Sequence, residues 1–388
     1  MKNKIGDKIY FPGLNGLRFF AALAVIITHV ELMKNKFGYE NLWSNPFIHE
    51  LGILGVSFFF VLSGYLITYL LLIEKDTIGV ISLKSFYMRR ILRIWPLYYL
   101  ILILGFVLFP AFEFFEISYF TEHFQSHFWG NLILYLLILP NLAFSFFSAV
   151  PLIGQSWSIG VEEQFYILWP LLIKFRNYFS FKFLISILMT LILMKFIILI
   201  LSINYENEQL IVLKKFAAMA KFENMIIGGI GAMLLKNKLE SILNIIYYKA
   251  TLIFSILGLF VLIYITPKFL HDGVHLFQSV FFLVIILNVS SNPNSIIKIE
   301  NRLFNFLGKI SYGIYMYHLI VIFIVIKLMS FMEITNPSSL KYNVVLYLFS
   351  IGITLFISHL SYKYFESIFL KKKVKYSSIE SGAKISEV

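Results

Sequence analysis

His29 is an ionisable side chain inside a long apolar stretch, residues 14–33. Such a group is costly to place in lipid, so an ionisable residue here is a candidate for function. A neutral imidazole can take a proton from a hydroxyl as a general base, or accept an acyl group as a nucleophile. If the stretch is helical, the rise of about 1.5 Å per residue places His29 roughly 22 Å from its first residue. The alternative is a structural histidine that one neighbouring helix holds.

An arginine cluster, Arg89, Arg90 and Arg93, stands at the start of another apolar stretch. Arg90 and Arg93 are three residues apart, so they share one face of a helix. Two guanidinium groups on one face suit a phosphate, because each offers a planar fork of N–H donors. The alternative is that the cluster anchors the chain at the membrane surface or contacts lipid headgroups.

Two adjacent carboxylates, Glu162 and Glu163, precede a third apolar run. A carboxylate can orient an imidazole or stabilise its charged form. Ser158 lies near the expected start of this helix, where a negative charge is favourable, so helix capping is the alternative role. Neighbouring side chains diverge around a helix, and we therefore expect at most one of the two glutamates to face the interior.

The remaining polar residues give weaker signals. Two pairs of histidines are four residues apart, His123 with His127 and His271 with His275. This spacing occurs in metal sites, but two ligands in a loop make a weak case, and we expect no metal. Lys195 falls in the middle of an apolar stretch and has no obvious partner. The chain has no cysteine, which excludes disulfides, thiolate catalysis and cysteine-bound metals.

The elements that position these residues belong to a membrane. Of 388 residues, 59% are hydrophobic and only 14% are charged, against about 25% charged in a soluble domain. Mean hydropathy is +0.81. This composition excludes a soluble enzyme, a disordered chain and a nucleic-acid-binding module. The net charge of +12 is therefore read first as basic loops on the cytoplasmic side, with no nucleic acid partner.

A membrane-spanning helix needs about 20 mostly apolar residues. The stretches that meet this need are 14–33, 51–73, 91–109, 183–203, 217–235, 250–266, 274–290, 305–327 and 343–365. A longer apolar segment, 129–175, is interrupted by prolines and glycines. We expect it to cross once, at about 158–175, after a broken or re-entrant part near 129–160. The predicted fold is thus an all-α integral membrane protein of about ten transmembrane helices.

Basic residues near the N-terminus, after the second span and in the tail 371–388 indicate that both termini are cytoplasmic. We expect a membrane domain over 1–370 and a disordered basic tail over 371–388. The first stretch lacks a signal-peptide cleavage site, so we expect it to be retained. This orientation places the arginine cluster at the cytoplasmic face. It places His29 and the glutamates in the outer half of the membrane, where they could meet.

Six segments of the sequence are similar to motifs of a known family. They are LNGLR at 14–18 with the run to His29, GVSFFFVLSGYLIT at 55–68, FYMRRILRIWP at 86–96, SWSIGVEEQFYILWP at 156–170, LGKISYGIYMYH at 307–318 and SYKYFE at 361–366. Each segment alone is a weak signal, but six in this order, spread over most of the chain, are specific. Together they resemble the acyltransferase-3 family, the integral-membrane O-acyltransferases of bacterial surface glycans.

The resemblance implies an enzyme of the bacterial cytoplasmic (inner) membrane, with several transmembrane passes and no bound cofactor. Its donor would be acyl-CoA, with acetyl-CoA as the first expectation, and its acceptor a hydroxyl of a surface polysaccharide or lipid-linked sugar. The chain lacks the esterase-like domain that some members carry, so we expect a stand-alone transferase. The resemblance also implies site residues: His29, Glu162 and Glu163 as catalytic, Arg89, Arg90 and Arg93 on the CoA phosphate, and Arg18, Trp157, Tyr312 and His318 as supporting residues.

The layout of the sequence suits that donor. CoA is cytosolic and carries phosphates, and its pantetheine arm is on the order of 20 Å long, close to the depth of His29. We therefore expect His29 to act as a base on the acceptor hydroxyl, or to carry the acyl group. A glutamate would orient it. Two other functions remain open: a secondary transporter or flippase of a lipid-linked sugar, and a purely structural assembly partner.

Overall fold

The computed structural model describes residues 9–116, 124–175, 179–205, 207–265, 271–332 and 336–377, and the regular elements in these ranges are helices, with no β-strand. The predicted all-α membrane class is confirmed. Several sequence predictions lie outside the described residues. They concern the lysines before residue 9, His123, the side chain of His271 and residues 378–388 of the tail.

The first half of the chain forms three long helices, a broken region and a fourth long helix. Their bounds are α1 Leu14–Lys36, α2 Pro46–Ile78, α3 Leu83–Ile103, α4 Phe128–Leu136, α5 Pro140–Phe146 and α6 Trp157–Phe175. A π-helical turn, Leu104–Leu108, prolongs α3. A 3-10 turn, Gly154–Ser156, leads into α6.

From residue 181 onward, the described ranges contain ten further helices. Their bounds are α7 Phe181–Asn204, α8 Glu208–Met219, α9 Phe222–Lys236, α10 Glu240–Tyr247, α11 Lys249–Ile265, α12 His271–Ser291, α13 Arg302–Lys309, α14 Ser311–Phe331, α15 Leu340–Leu360 and α16 Ser367–Lys373. A π-helical segment, Ser361–Glu366, joins the last two. The predicted span 305–327 is therefore two elements, because α13 ends at Lys309 and the spanning helix begins at Ser311.

Eight helical segments in the described ranges are long and apolar enough to cross a membrane, and the pair α10 and α11, bent by 63°, makes a ninth. We predicted about ten. The difference is α6, whose 19 residues include Glu162, Glu163 and Lys174. Three ionisable residues lower its hydropathy below that of its neighbours. The predicted crossing at 158–175 is a helix, but one that the apolar criterion does not support.

The predicted break before α6 is present. Two short helices, α4 and α5, occupy this region, and Ile138 and Leu152 have φ angles of +59° and +61°. The tyrosines of α3 satisfy free backbone carbonyls there: Tyr98 Oη donates to Tyr135 O at 2.7 Å and Tyr99 Oη to Leu136 O at 3.0 Å. Broken backbone at membrane depth is tolerated where protein supplies such partners.

Helix α2 lies at the centre of the bundle and contacts α9 through backbone. A Cβ atom built on Gly64 would lie 1.9 Å from Met225 O, and one on Gly228 would lie 2.0 Å from Val61 O. Only glycine permits so close an approach of two helices, as is common within membranes. At the periphery, α7 turns most of its apolar side chains outward. That outward face accounts for part of the apolar composition, since lipid can cover it.

Candidate active site

The bundle encloses a cavity of about 230 Å³ between the first turns of α1 and α14, the middle of α2, and parts of α3, α6 and α16. Its polar lining includes Arg18, Arg90, Arg93, Glu162, Tyr312 and Lys373. Four basic side chains and one carboxylate thus share one small volume. The structure brings together two members of the predicted arginine cluster, one predicted glutamate and two of the predicted supporting residues.

The positive charge of the cavity is only partly neutralised. Arg18 Nη1 donates to Asn15 Oδ1 at 3.0 Å, a neutral partner on the same helix. In the described part of the chain, neither Arg90 nor Arg93 has a carboxylate oxygen within 4.0 Å. Guanidinium groups without a carboxylate in contact have donors suited to an anion.

Arg90 is held by aromatic rings. Its Cζ lies 5.6 Å from the ring centre of Phe86 and 5.5 Å from that of Tyr166. Its Nε is buried and has no hydrogen-bond partner in the structure. Stacking of this kind orients a planar guanidinium while leaving its N–H donors available to a ligand.

Arg89 turns away from the cavity. It donates through Nη1 to Tyr376 O at 2.5 Å and through Nη2 to Glu74 Oε2 at 3.4 Å. These contacts join α3 to α2 and to the 3-10 turn after α16. Arg89 directly precedes Arg90 and points in a different direction around the helix, so the structure does not bring it together with the other two arginines.

The two glutamates face different surroundings. Glu162 lines the cavity and accepts hydrogen bonds from Ser63 Oγ at 3.2 Å and Tyr166 Oη at 2.5 Å. Glu163 is buried, with Oε2 accepting from Trp95 Nε1 at 3.2 Å and Oε1 left without a partner. One glutamate therefore faces the cavity, and it lies beside the arginines.

His29 lies eleven residues beyond Arg18 along α1, or about 16 Å, and does not line the cavity. Its Nδ1 is 2.8 Å from Val25 O and 3.3 Å from His318 Nε2. The hydrogen bonds of both glutamates go elsewhere. The predicted contact between His29 and a glutamate is thus not made in this structure.

The reason lies in the placement of α6. Ser158 Oγ is 2.8 Å from Tyr315 Oη, which fixes the start of α6 beside α14. Glu162 follows one turn later, in the direction of the arginines. The structure therefore places Glu162 beside Arg90 and Arg93 and not beside His29. The residue that meets His29 is His318, which we had named only as a supporting residue.

The other supporting residues have structural contacts. Tyr312 lines the cavity and donates to Ile94 O on α3 at 2.8 Å. Trp157 packs on Phe60, with ring centres 6.0 Å apart, and does not line the cavity. Tyr312 therefore contributes to the wall of the site, whereas Trp157 contributes to packing behind it.

Sequence reasoning missed Lys373. We expected a disordered tail from residue 371, but the described part of it is helical through Lys373 and continues in a 3-10 turn to Tyr376. Lys373 lines the cavity beside Arg18 and Arg93. A run of lysines at the end of a span is also the signature of a cytoplasmic anchor, so the sequence alone carried no sign of this role.

The weaker sequence signals have ordinary partners. Lys195 forms an ion pair with Glu223, Nζ to Oε1 at 2.7 Å, between α7 and α9. His127 Nδ1 lies 2.8 Å from Ser126 Oγ, and His275 Nδ1 lies 2.8 Å from Gln278 Oε1. In the described residues, no group of three or more histidine, cysteine or acidic side chains is placed to hold a metal.

Comparison with known proteins gives the family. The profile of an acyltransferase domain matches residues 11–363. A Staphylococcus aureus (strain COL) protein, provisionally named an O-acetyltransferase, is 32% identical over 387 residues. The alignment covers 94% of this chain and 58% of that protein. A Bacillus subtilis (strain 168) protein, provisionally named a peptidoglycan O-acetyltransferase, is 31% identical over 94% of this chain and 56% of its own length.

A third relative is the peptidoglycan O-acetyltransferase OatA of Listeria monocytogenes, 27% identical over 92% of this chain and 55% of its own length. The chain thus spans little more than half the length of the curated relatives that it matches. No solved structure matches it. Because the acyltransferase profile covers nearly the whole chain, the predicted resemblance is confirmed, and this chain belongs to the acyltransferase-3 family.

Proposed function

We propose that this chain is a membrane O-acetyltransferase that moves an acetyl group from cytosolic acetyl-CoA to a hydroxyl of a cell-envelope glycan. The observation that carries the proposal is the cavity in which Arg18, Arg90 and Arg93 have only one carboxylate among them, with His29 about 16 Å further along α1. A charged end and a distant base suit a donor that is anionic at one end and reactive at the other.

The arginines and Lys373 would hold the phosphates of CoA, because bidentate guanidinium donors and an ammonium match phosphate oxygens. Glu162 accepts a hydrogen bond from Tyr166, whose ring stacks on Arg90. We therefore assign Glu162 to the orientation of Arg90, through Tyr166, and not to the orientation of His29. The pantetheine arm, on the order of 20 Å long, would then bring the thioester to the depth of His29.

At His29 the acceptor hydroxyl would give its proton to the imidazole as its oxygen attacks the thioester carbonyl. The tetrahedral intermediate collapses as the C–S bond breaks, and the CoA thiolate leaves and takes the proton from the His29 imidazolium, which restores the neutral base. An acetyl-histidine intermediate is the other route open to the same residue. Mass spectrometry of protein incubated with acetyl-CoA but no acceptor separates the two, since only that route adds an acetyl group to His29.

Two named relatives act, by their names, on peptidoglycan. We therefore propose a cell-wall or other envelope glycan as the acceptor class, reached from the side of the membrane opposite the arginines. Such an enzyme would reside in the bacterial cytoplasmic membrane, where a cytosolic donor and an envelope acceptor can both reach it.

The test uses the full chain, purified and returned to lipid, with acetyl-CoA and a muropeptide as probes. Release of CoA and the acetylated muropeptide are measured together. We expect His29→Ala to abolish both, and Arg90→Ala with Arg93→Ala to raise the KM for acetyl-CoA. The matched control is His127→Ala, at a histidine that does not line the cavity, and this variant should retain activity.

If His29→Ala transfers acetyl groups at the parent rate, at equal protein concentration, the proposed role of His29 is refuted. Movement of a lipid-linked sugar across the bilayer without consumption of thioester would instead support the transporter. Both readouts come from the same vesicles, so one preparation separates the two functions.

A further inference from the structure

Resting on the proposed function, we infer that His318 is the positioning residue of His29: together with Val25 O it holds the proton of His29 on Nδ1, orients the ring and so leaves Nε2 as the basic nitrogen. The two rings lie with their centres 4.8 Å apart, on helices α1 and α14 that are 289 residues apart in sequence. Four groups determine which ring nitrogens carry hydrogen: the carbonyls of Val25 and Tyr315 and the two histidine rings themselves.

The proton of His318 is assigned by its carbonyl partner. His318 Nδ1 lies 2.6 Å from Tyr315 O. A carbonyl oxygen can only accept, so Nδ1 of His318 carries the hydrogen in the neutral ring. Its other nitrogen, Nε2, is then an acceptor with a free lone pair. That is the atom that faces His29.

The proton of His29 follows from the same reasoning. Its Nδ1 lies 2.8 Å from Val25 O and 3.3 Å from His318 Nε2. Both partners are acceptors, so Nδ1 of His29 is the donor and the hydrogen is shared between them. In the neutral ring, Nε2 of His29 must therefore be unprotonated. In the described part of the chain no protein group is hydrogen-bonded to it, and the side chain is only half-buried.

This arrangement supplies what an enzyme needs from a base. A second group that holds one ring nitrogen sets both the tautomer and the orientation of the other. When Nε2 takes a proton from the acceptor hydroxyl, the hydrogen on Nδ1 remains bonded to Val25 O and His318 Nε2. The resulting imidazolium thus keeps two acceptors on its inner side, although no carboxylate is hydrogen-bonded to it.

The second ring is itself held in place. His318 is fully buried. Tyr315 Oη donates to Gln155 O at 3.0 Å, and Gln155 Nε2 donates to Met316 O at 2.6 Å, so α14 is bound to the turn before α6 at this level. Tyr315 also lines the cavity. A continuous set of contacts therefore runs from the cavity wall through Tyr315 and His318 to His29.

The test compares amides of two lengths at position 318. In His318→Gln the side-chain oxygen can reach the place of Nε2 and accept from His29, whereas in His318→Asn it is too short to do so. We expect His318→Asn and His318→Leu to lower kcat by about 100-fold, the lower end of general-base effects. The KM for acetyl-CoA should not change. His318→Gln should retain at least a tenth of the kcat.

The control is Tyr317→Phe, which removes a buried hydrogen bond to Ser361 Oγ, 3.1 Å long, from the adjacent residue of α14. It should leave kcat unchanged. If His318→Leu fails to fold, its melting temperature in detergent will show this. In that case the kcat of His318→Gln is compared with that of His318→Asn, since both variants carry a polar amide and differ only in its reach.

Equal kcat for His318→Gln and His318→Asn, whether both high or both low, overturns the positioning role. A high kcat for all position-318 variants beside an inactive His29→Ala rejects this inference and leaves the proposed function intact. An active His29→Ala rejects the proposed function itself.

Discussion

At the scale of the residue, Arg90 differs from Arg89 and Arg93 in its setting between Phe86 and Tyr166. We predict that Arg90→Lys raises the KM for acetyl-CoA by about 10-fold to 100-fold, because lysine keeps the charge but loses the stacked, forked geometry. Arg89→Lys is the matched control: it should alter the melting temperature and leave that KM unchanged. An Arg90→Lys enzyme with the parent KM would contradict the assignment of a bidentate contact.

The Lys195–Glu223 ion pair gives a second residue-scale prediction. Lys195→Met leaves the carboxylate of Glu223 without its partner near the lipid, which destabilises the protein. A fully buried pair costs about 3–5 kcal/mol to break, and Lys195 keeps 21% of its side chain exposed, so we expect less. Adding Glu223→Gln should restore much of the melting temperature. A double variant as unstable as the single one would show that the pair does not act as a unit.

Residue-scale reasoning from sequence selected two arginines that the structure places in the cavity, and one histidine that it places outside the cavity lining. It selected His29, Arg90 and Arg93 because charge inside an apolar stretch is costly and therefore informative. It could not find that His318 is the partner of His29, because nothing local in the chain connects α1 with α14. It also could not tell Arg89 from its neighbour, since the side chain's direction depends on Glu74 and Tyr376 in other elements.

At the scale of the element, the contact between α2 and α9 depends on glycine. We predict that Gly228→Ala lowers the stability by about 1–3 kcal/mol, since its Cβ would lie 2.0 Å from Val61 O on α2. The matched control is Gly352→Ala on α15, where a Cβ meets nothing within 4 Å. That change should be neutral or slightly stabilising in a helix. Thermal unfolding in detergent compares the two, and equal melting temperatures would refute the close packing.

The sequence predicted the positions of the helices better than it predicted the contacts between residues. Apolar length placed most spans within a few residues, because lipid imposes one thickness on every crossing. It was less accurate where polar or charged residues lie in or beside an apolar stretch. Residues 305–310 were joined to the span that starts at Ser311. Helix α6 falls short of the apolar criterion because its 19 residues include Glu162, Glu163 and Lys174, and of these Glu162 lines the cavity.

At the scale of the whole molecule, residues from α1 and α16 meet in one site: Arg18 and Lys373 line the same cavity. We predict that Lys373→Met raises the KM for acetyl-CoA several-fold, because one of four cations is lost from the anion site. Lys371→Met, two residues earlier on α16, is the control and should have no effect. The KM is determined from initial rates at constant ionic strength, because salt screens contacts between charged groups. Equal KM values for the two variants would remove Lys373 from the site.

The separation between the cavity and His29 determines, under the proposed function, how long a reactive donor must be. Under the proposed function, a donor held at the arginines reacts only if its acyl carbon lies about 16 Å from the charge that holds it. Acetyl phosphate also carries a phosphate anion and has the same acetyl group, yet its length is a small fraction of that span. It should therefore compete with acetyl-CoA as an inhibitor and fail as a substrate, so that the enzyme selects its donor by length as well as by charge.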